Sequence, residues 1–211
     1  MKTILKPTAF VALLALGLVP QIRAADSGAQ AQETKARIDT ARTECAKIRN
    51  QIGLTLEELN RLQKPSVELR PQLDKYSAEL VKMEEQAKLT RDRASTMQEK
   101  GRAYFKAWED QITLISNQDI KEQAQKRYNQ RAKSYDKITK AAGEAREELV
   151  PFMSDLKDIK TLLDSELSRG SVNSAKKLIK TANAHGKVVA ESLKNVEEEL
   201  DRVSAELAKY K

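Results

Sequence analysis

Only one histidine and one cysteine, His185 and Cys45, stand in the 211 residues, which removes most chemistry built on clusters of either. Zinc sites draw their ligands chiefly from Cys and His, and haem and iron–sulfur centres need axial or thiolate ligands in number. Carboxylate-bridged di-metal bundles need facing glutamates and Glu-x-x-His pairs, but position 182, three before His185, is alanine. No serine, cysteine or histidine grouping couples a nucleophile to a base. The seven glycines are scattered singly and form no phosphate-cradling loop. Acidic runs such as Glu57-Glu58 and Glu197-Glu198-Glu199 suit solvated helix faces. The expectation is a non-enzymatic chain with no catalytic residue, no cofactor, no metal and no small-molecule substrate. His185 then reads as a partly exposed helix residue and Cys45 as a small buried hydrophobe.

What does gather in one stretch is bulk rather than reactivity. Tyr104, Phe105 and Trp108 lie within five residues of one another, with Ile112 and Ile115 beyond them and Lys121 and Arg127 after a break. Large apolar side chains beside basic ones suit contact with a partner, and these seven residues are the candidate contact site. The competing reading is that they close a core that has only two helices.

The elements that must position them are written in a heptad rhythm. From Val172 through Ala175, Ile179, Ala182, Gly186, Val189, Leu193, Val196, Leu200, Val203, Leu207 and Tyr210, small or apolar residues recur at alternating steps of three and four. That 3.5-residue period keeps one seam of a helix on its partner. Earlier segments repeat it. Lys64-Pro65 closes a first helix, Ser116 to Asp119 breaks the pattern after Ile115, and Ser168 to Ser171 makes a third stop. The spacing therefore predicts helices over 33–63, 66–115, 119–167 and 171–209, with 25–32 as a flexible lead-in. Four long helices joined by short turns predict an all-α, elongated antiparallel four-helix bundle. Ser66, Asp119 and Ser171 are the expected caps. Gly186 should lie opposite Phe152, whose ring fills the space that the missing side chain leaves.

Unequal lengths carry a consequence. Folded back from the turns, the first helix starts near residue 96 of the second and the fourth ends near residue 128 of the third. The stretch from about 97 to 128 should then protrude as a helix 2 to helix 3 hairpin, by ~15 to 25 Å at 1.5 Å per residue. Its tip carries the candidate site.

Lys2 and Lys6 precede an apolar stretch from Thr8 to Val19, closed by Pro20 and followed by Ala24 and Ala25. This order reads as a signal peptide over 1–24, too short in its apolar part to span a bilayer. The expected location is extracytoplasmic, most simply periplasmic, soluble after cleavage, with neither a lipid-bearing cysteine nor a membrane span. Loss of Lys2, Lys6 and Arg23 takes the balance from 38 bases against 31 acids to 35 against 31. A mildly basic exported protein suits a protein partner, self-association, or peripheral contact with anionic membrane or cell wall, rather than nucleic acid.

Tyr104-Phe105-Lys106-Ala107-Trp108-Glu109, Arg127-Tyr128, Tyr135, Val150-Pro151-Phe152, Asp155 and the last seam resemble the bacterial domain of unknown function 2959 family. The resemblance implies an extracytoplasmic, helical protein without established activity, and supplies no functional residues. Many relatives look like lipoproteins, whereas this chain lacks the cysteine for lipid attachment. Three functions stay open on this evidence: a scaffold or interaction protein of the envelope, a periplasmic holdase-type chaperone, and a binder of anionic membrane or wall polymer.

Overall fold

The computed structural model describes residues 27–208; the signal segment expected over 1–24 lies outside them. Four helices account for nearly all of this length: α1 (Ser27–Arg61), α2 (Leu69–Thr113), α3 (Gln118–Ser165) and α4 (Arg169–Ala208). Each packs on its two sequence-adjacent or end-closing neighbours, α1 on α2 and α4, α3 on α2 and α4, so the four form a closed square of antiparallel pairs. No strand occurs among the described residues. The fold is the all-α antiparallel bundle that the seams specify.

Boundaries differ by a few residues for local reasons. The lead-in expected over 25–32 is helical from Ser27 on, because Ala29, Gln30, Ala31 and Gln32 are all adequate helix formers. At the start of α2 the cap is Glu68 rather than Ser66, and Pro71 sits in the first turn, where a missing backbone N–H costs nothing. Asn117, not Asp119, caps α3, its side-chain oxygen accepting from the Ile120 backbone N–H at 3.1 Å. Ser168, not Ser171, caps α4 by accepting from the Ser171 N–H at 3.0 Å, which leaves Gly170 inside the first turn.

One contiguous core runs up the bundle from the two turns at its base. Leu59, Leu62, Leu73, Tyr76, Phe152, Leu156, Ile159, Leu163, Val172 and Ile179 are all essentially inaccessible there. Burying a Leu, Ile or Phe side chain is worth roughly 1.5–3 kcal/mol, so this end dominates stability. The buried Tyr76 hydroxyl is not wasted: it donates to the Leu156 carbonyl at 2.7 Å. Thr55 is likewise buried and donates to the Gln51 carbonyl at 2.8 Å. Asn60 and Asn183 exchange amide hydrogen bonds at 2.8 and 2.9 Å, fixing α1 against α4. Register between the pairs follows from these contacts. Extending the Gln51–Glu79 pairing at equal rise sets Ser27 level with about residue 103 of α2, and His185–Asp155 sets Ala208 level with about residue 132 of α3. Among the described residues, only α2 and α3 continue beyond those levels, by ~15 to 20 Å.

Candidate functional site

The projecting hairpin is held by an aromatic cluster that is separate from the main core. Phe105 is its hub: its ring centroid lies 5.2 Å from that of Tyr104, 6.3 Å from Trp108, 5.7 Å from Tyr128 and 5.1 Å from Tyr135. Trp108 meets Tyr128 edge-on at 5.5 Å and Tyr104 at 5.7 Å. Such edge and tilted pairs are the arrangements that ring quadrupoles favour. Tyr135 also passes close over Gly101, where a Cβ would lie 2.1 Å from its hydroxyl oxygen, and it donates to the Gln98 carbonyl at 3.1 Å. Gly101 is therefore the gap that admits the Tyr135 ring.

Among the candidate residues, Phe105 and Ile112 are buried at 7% and 3% exposure, packed between α2 and α3. Tyr104, Trp108, Ile115 and Lys121 are half-buried, and Arg127 is exposed. Leu114 and Ile120, at the turn itself, are the open apolar side chains, 81% and 54% exposed. The structure thus brings Tyr104, Phe105 and Trp108 into one cluster with Tyr128 and Tyr135. Lys121 and Arg127 lie on α3 along its outer reach. Burial pushes the hydroxyls of Tyr104, Tyr128 and Tyr135 above the ordinary tyrosine range, with Arg131 partly countering this at Tyr104. All three stay neutral at physiological pH and act as polar tips on apolar bodies.

Three polar arrangements lay beyond the reach of sequence reasoning, because each joins helices far apart in the chain. His185 Nδ1 and Asp155 Oδ2 approach to 2.7 Å between α4 and α3. Glu44 takes Lys47 at 3.0 Å and the Arg93 guanidinium across to α2; burial raises its carboxyl, but these two cations more than offset that and hold it below the usual range. Arg169 bonds four carbonyls of the α1–α2 turn, those of Leu62 at 3.2 Å, Lys64 at 2.8 Å, Pro65 at 2.9 Å and Val67. Only the last had a sequence cue, an arginine at the third stop. Cys45 is half-buried against the core, and burial, with the Glu197 charge adding, pushes its thiol up to about 12. Among the described residues, no group of three His, Cys, Asp or Glu side chains converges on a common point.

Fold and site define a helical-bundle protein with an aromatic-cored, two-helix extension. The model of the family of proteins of unknown function DUF2959 matches residues 30–207, nearly the whole described length, and the chain belongs to that family. Neither the curated proteins nor the solved structures contain a match to it.

Proposed function

We propose that the chain is a non-enzymatic, secreted or periplasmic scaffold of the bacterial envelope that makes its protein contacts through the α2–α3 hairpin. One observation carries the reading. The hairpin outruns both outer helices, and Leu114 and Ile120 stand open at its end beside half-buried Tyr104, Trp108 and Ile115. Elsewhere exposed large apolar residues are scattered singly over the four helices, as on any soluble surface. Among the described residues no helix is long and apolar enough to cross a membrane. A signal segment over 1–24 would deliver such a bundle to the envelope.

A holdase needs an extended apolar face, and burial of Phe105 and Ile112 between the two helices leaves little of one. An adhesin for anionic lipid or wall polymer needs a basic end, whereas residues 109–122 hold Glu109, Asp110, Asp119 and Glu122 against Lys121 alone. The scaffold reading suits both facts. A photo-crosslinking side chain placed at Leu114 tests it in intact cells. A discrete protein adduct at Leu114, absent with the same probe at exposed Lys157 near the base, is the expected result; no adduct at Leu114 sinks the proposal.

A further inference from the structure

The seam that closes the bundle does not stop where the bundle stops. On α2 it buries Leu73, Tyr76, Leu80 and Met83, and the same alternation of three and four carries on to Tyr104, Trp108 and Ile115, which are half-exposed. On α3, stepping back from buried Leu149 and Ile138, it reaches Arg131, Tyr128, Ala124 and Lys121, half-exposed in the same way. Below about residues 104 and 132 the corresponding side of the pair is covered by α1 and α4. Above, a face shaped for two more helices has none among the described residues.

Taking the hairpin as the contact arm, we infer that this face is covered by the hairpin of a second copy of the same chain, laid antiparallel across the first. The two α2–α3 pairs then complete a second, local four-helix bundle. Charge selects this partner and this direction. The end of the arm, residues 109–122, has four acids and one base, while the collar behind it, residues 98–108 and 123–135, has seven bases and one acid. About ten residues, or ~15 Å of helix, separate the two zones. In an antiparallel overlap each acidic end lies beside the other copy's basic collar, and two-fold symmetry makes the match twice. A parallel overlap would set like charge on like. Leu114 and Ile120, flanking the seam, would leave water in the same step.

The test reverses each zone at exposed positions and then recombines them. By light scattering, the protein purified after export should have twice the monomer mass at tens of micromolar. The collar variant Lys100→Glu/Arg102→Glu/Lys126→Glu/Arg127→Glu, which leaves three bases against five acids, and the end variant Glu109→Lys/Glu122→Lys, which leaves three bases against two acids, should each fall to the monomer mass with helical circular dichroism unchanged. An equimolar mixture of the two should return to twice the monomer mass, since each zone again meets its opposite. A monomeric native protein, or a dimer that survives both reversals, overturns the inference. Crosslinking from Leu114 separates this failure from failure of the arm reading. An adduct between two copies supports both, an adduct only to a different protein overturns the homodimer and leaves the arm, and an adduct only to lipid, only to residues 1–34 of the same chain, or no adduct overturns both.

Discussion

The seam glycine Gly186 has close neighbours where Gly53 and Gly143 have none, and stability should show it. A Cβ on Gly186 would lie 2.7 Å from Leu56 Cδ1 and 3.0 Å from Phe152 Cε2, against side chains that are themselves packed. A Cβ on Gly53 or Gly143 would meet nothing within 4 Å. Alanine adds about 1 kcal/mol of helix propensity at each. Gly53→Ala and Gly143→Ala should therefore stabilise by up to about 1 kcal/mol, while overpacking of roughly 1–3 kcal/mol makes Gly186→Ala net destabilising. Urea unfolding followed by circular dichroism reads both signs; a stabilised Gly186→Ala would show that Phe152 can give way. Cys45 has its own residue-scale consequence. Burial pushes its thiol from 9.0 up to about 12 in the fold, so its contribution is fully present below pH 9 and is lost as pH rises through that interval. Alkylation at pH 8 should run about a thousandfold slower in the native than in the urea-unfolded chain. Comparable rates would mean that the thiol is open to solvent.

At the scale of elements, Arg169 ties the start of α4 to the turn that ends α1 and begins α2. Its guanidinium donates to four carbonyls of that turn, of which the Lys64 carbonyl also accepts from the Val67 N–H at 3.3 Å. Arg169→Ala should cost roughly 1.5–3 kcal/mol, the range for hydrogen bonds to a charged group. Arg169→Lys should recover only part, because an ammonium cannot reproduce the fork. Thermal melts of the three proteins decide it, and full recovery by lysine would reduce the contact to simple charge. This clamp also marks the boundary of what the chain discloses by itself. The rhythm from Val172 to Val203, the stop at Pro65 and the pairing of Gly186 with Phe152 follow from local periodicity and equal rise, and all three are in the structure. Arg169 and His185–Asp155 depend on which face each helix turns toward a neighbour a hundred or thirty residues away, and no local period carries that. The aromatic stretch shows the same divide. The heptad runs through Tyr104, Trp108 and Gln111 or Ile112, and of these Ile112 is buried as expected, whereas Phe105, one residue off the seam, is buried in place of Tyr104 because with two helices packed there the closest approach shifts to the neighbouring stripe.

For the whole molecule, the separation of the aromatic cluster from the main core implies two levels of stability in one chain. The base combines four helices, fully buried Leu59, Tyr76, Phe152 and Ile159, and the Arg169 clamp. Among the described residues, the hairpin buries Phe105, Ile112 and Tyr135 beside Gly101, and none of them belongs to the contiguous core. Less apolar area leaves water per residue there, and local opening takes its free energy from that area. Trp108, the only tryptophan, sits inside the weaker part and reports on it alone. Its fluorescence should therefore change at lower urea than the helical circular dichroism, with amide exchange over 98–135 faster than over 149–163. The hairpin amides would then exchange through a partial opening and the base amides only through global unfolding. Phe105→Ala should widen the gap by removing the hub of the cluster, while Leu156→Ala in the base should narrow it. Coincident transitions in all three proteins would mean that the hairpin and the bundle fold as one unit despite the gap between their cores.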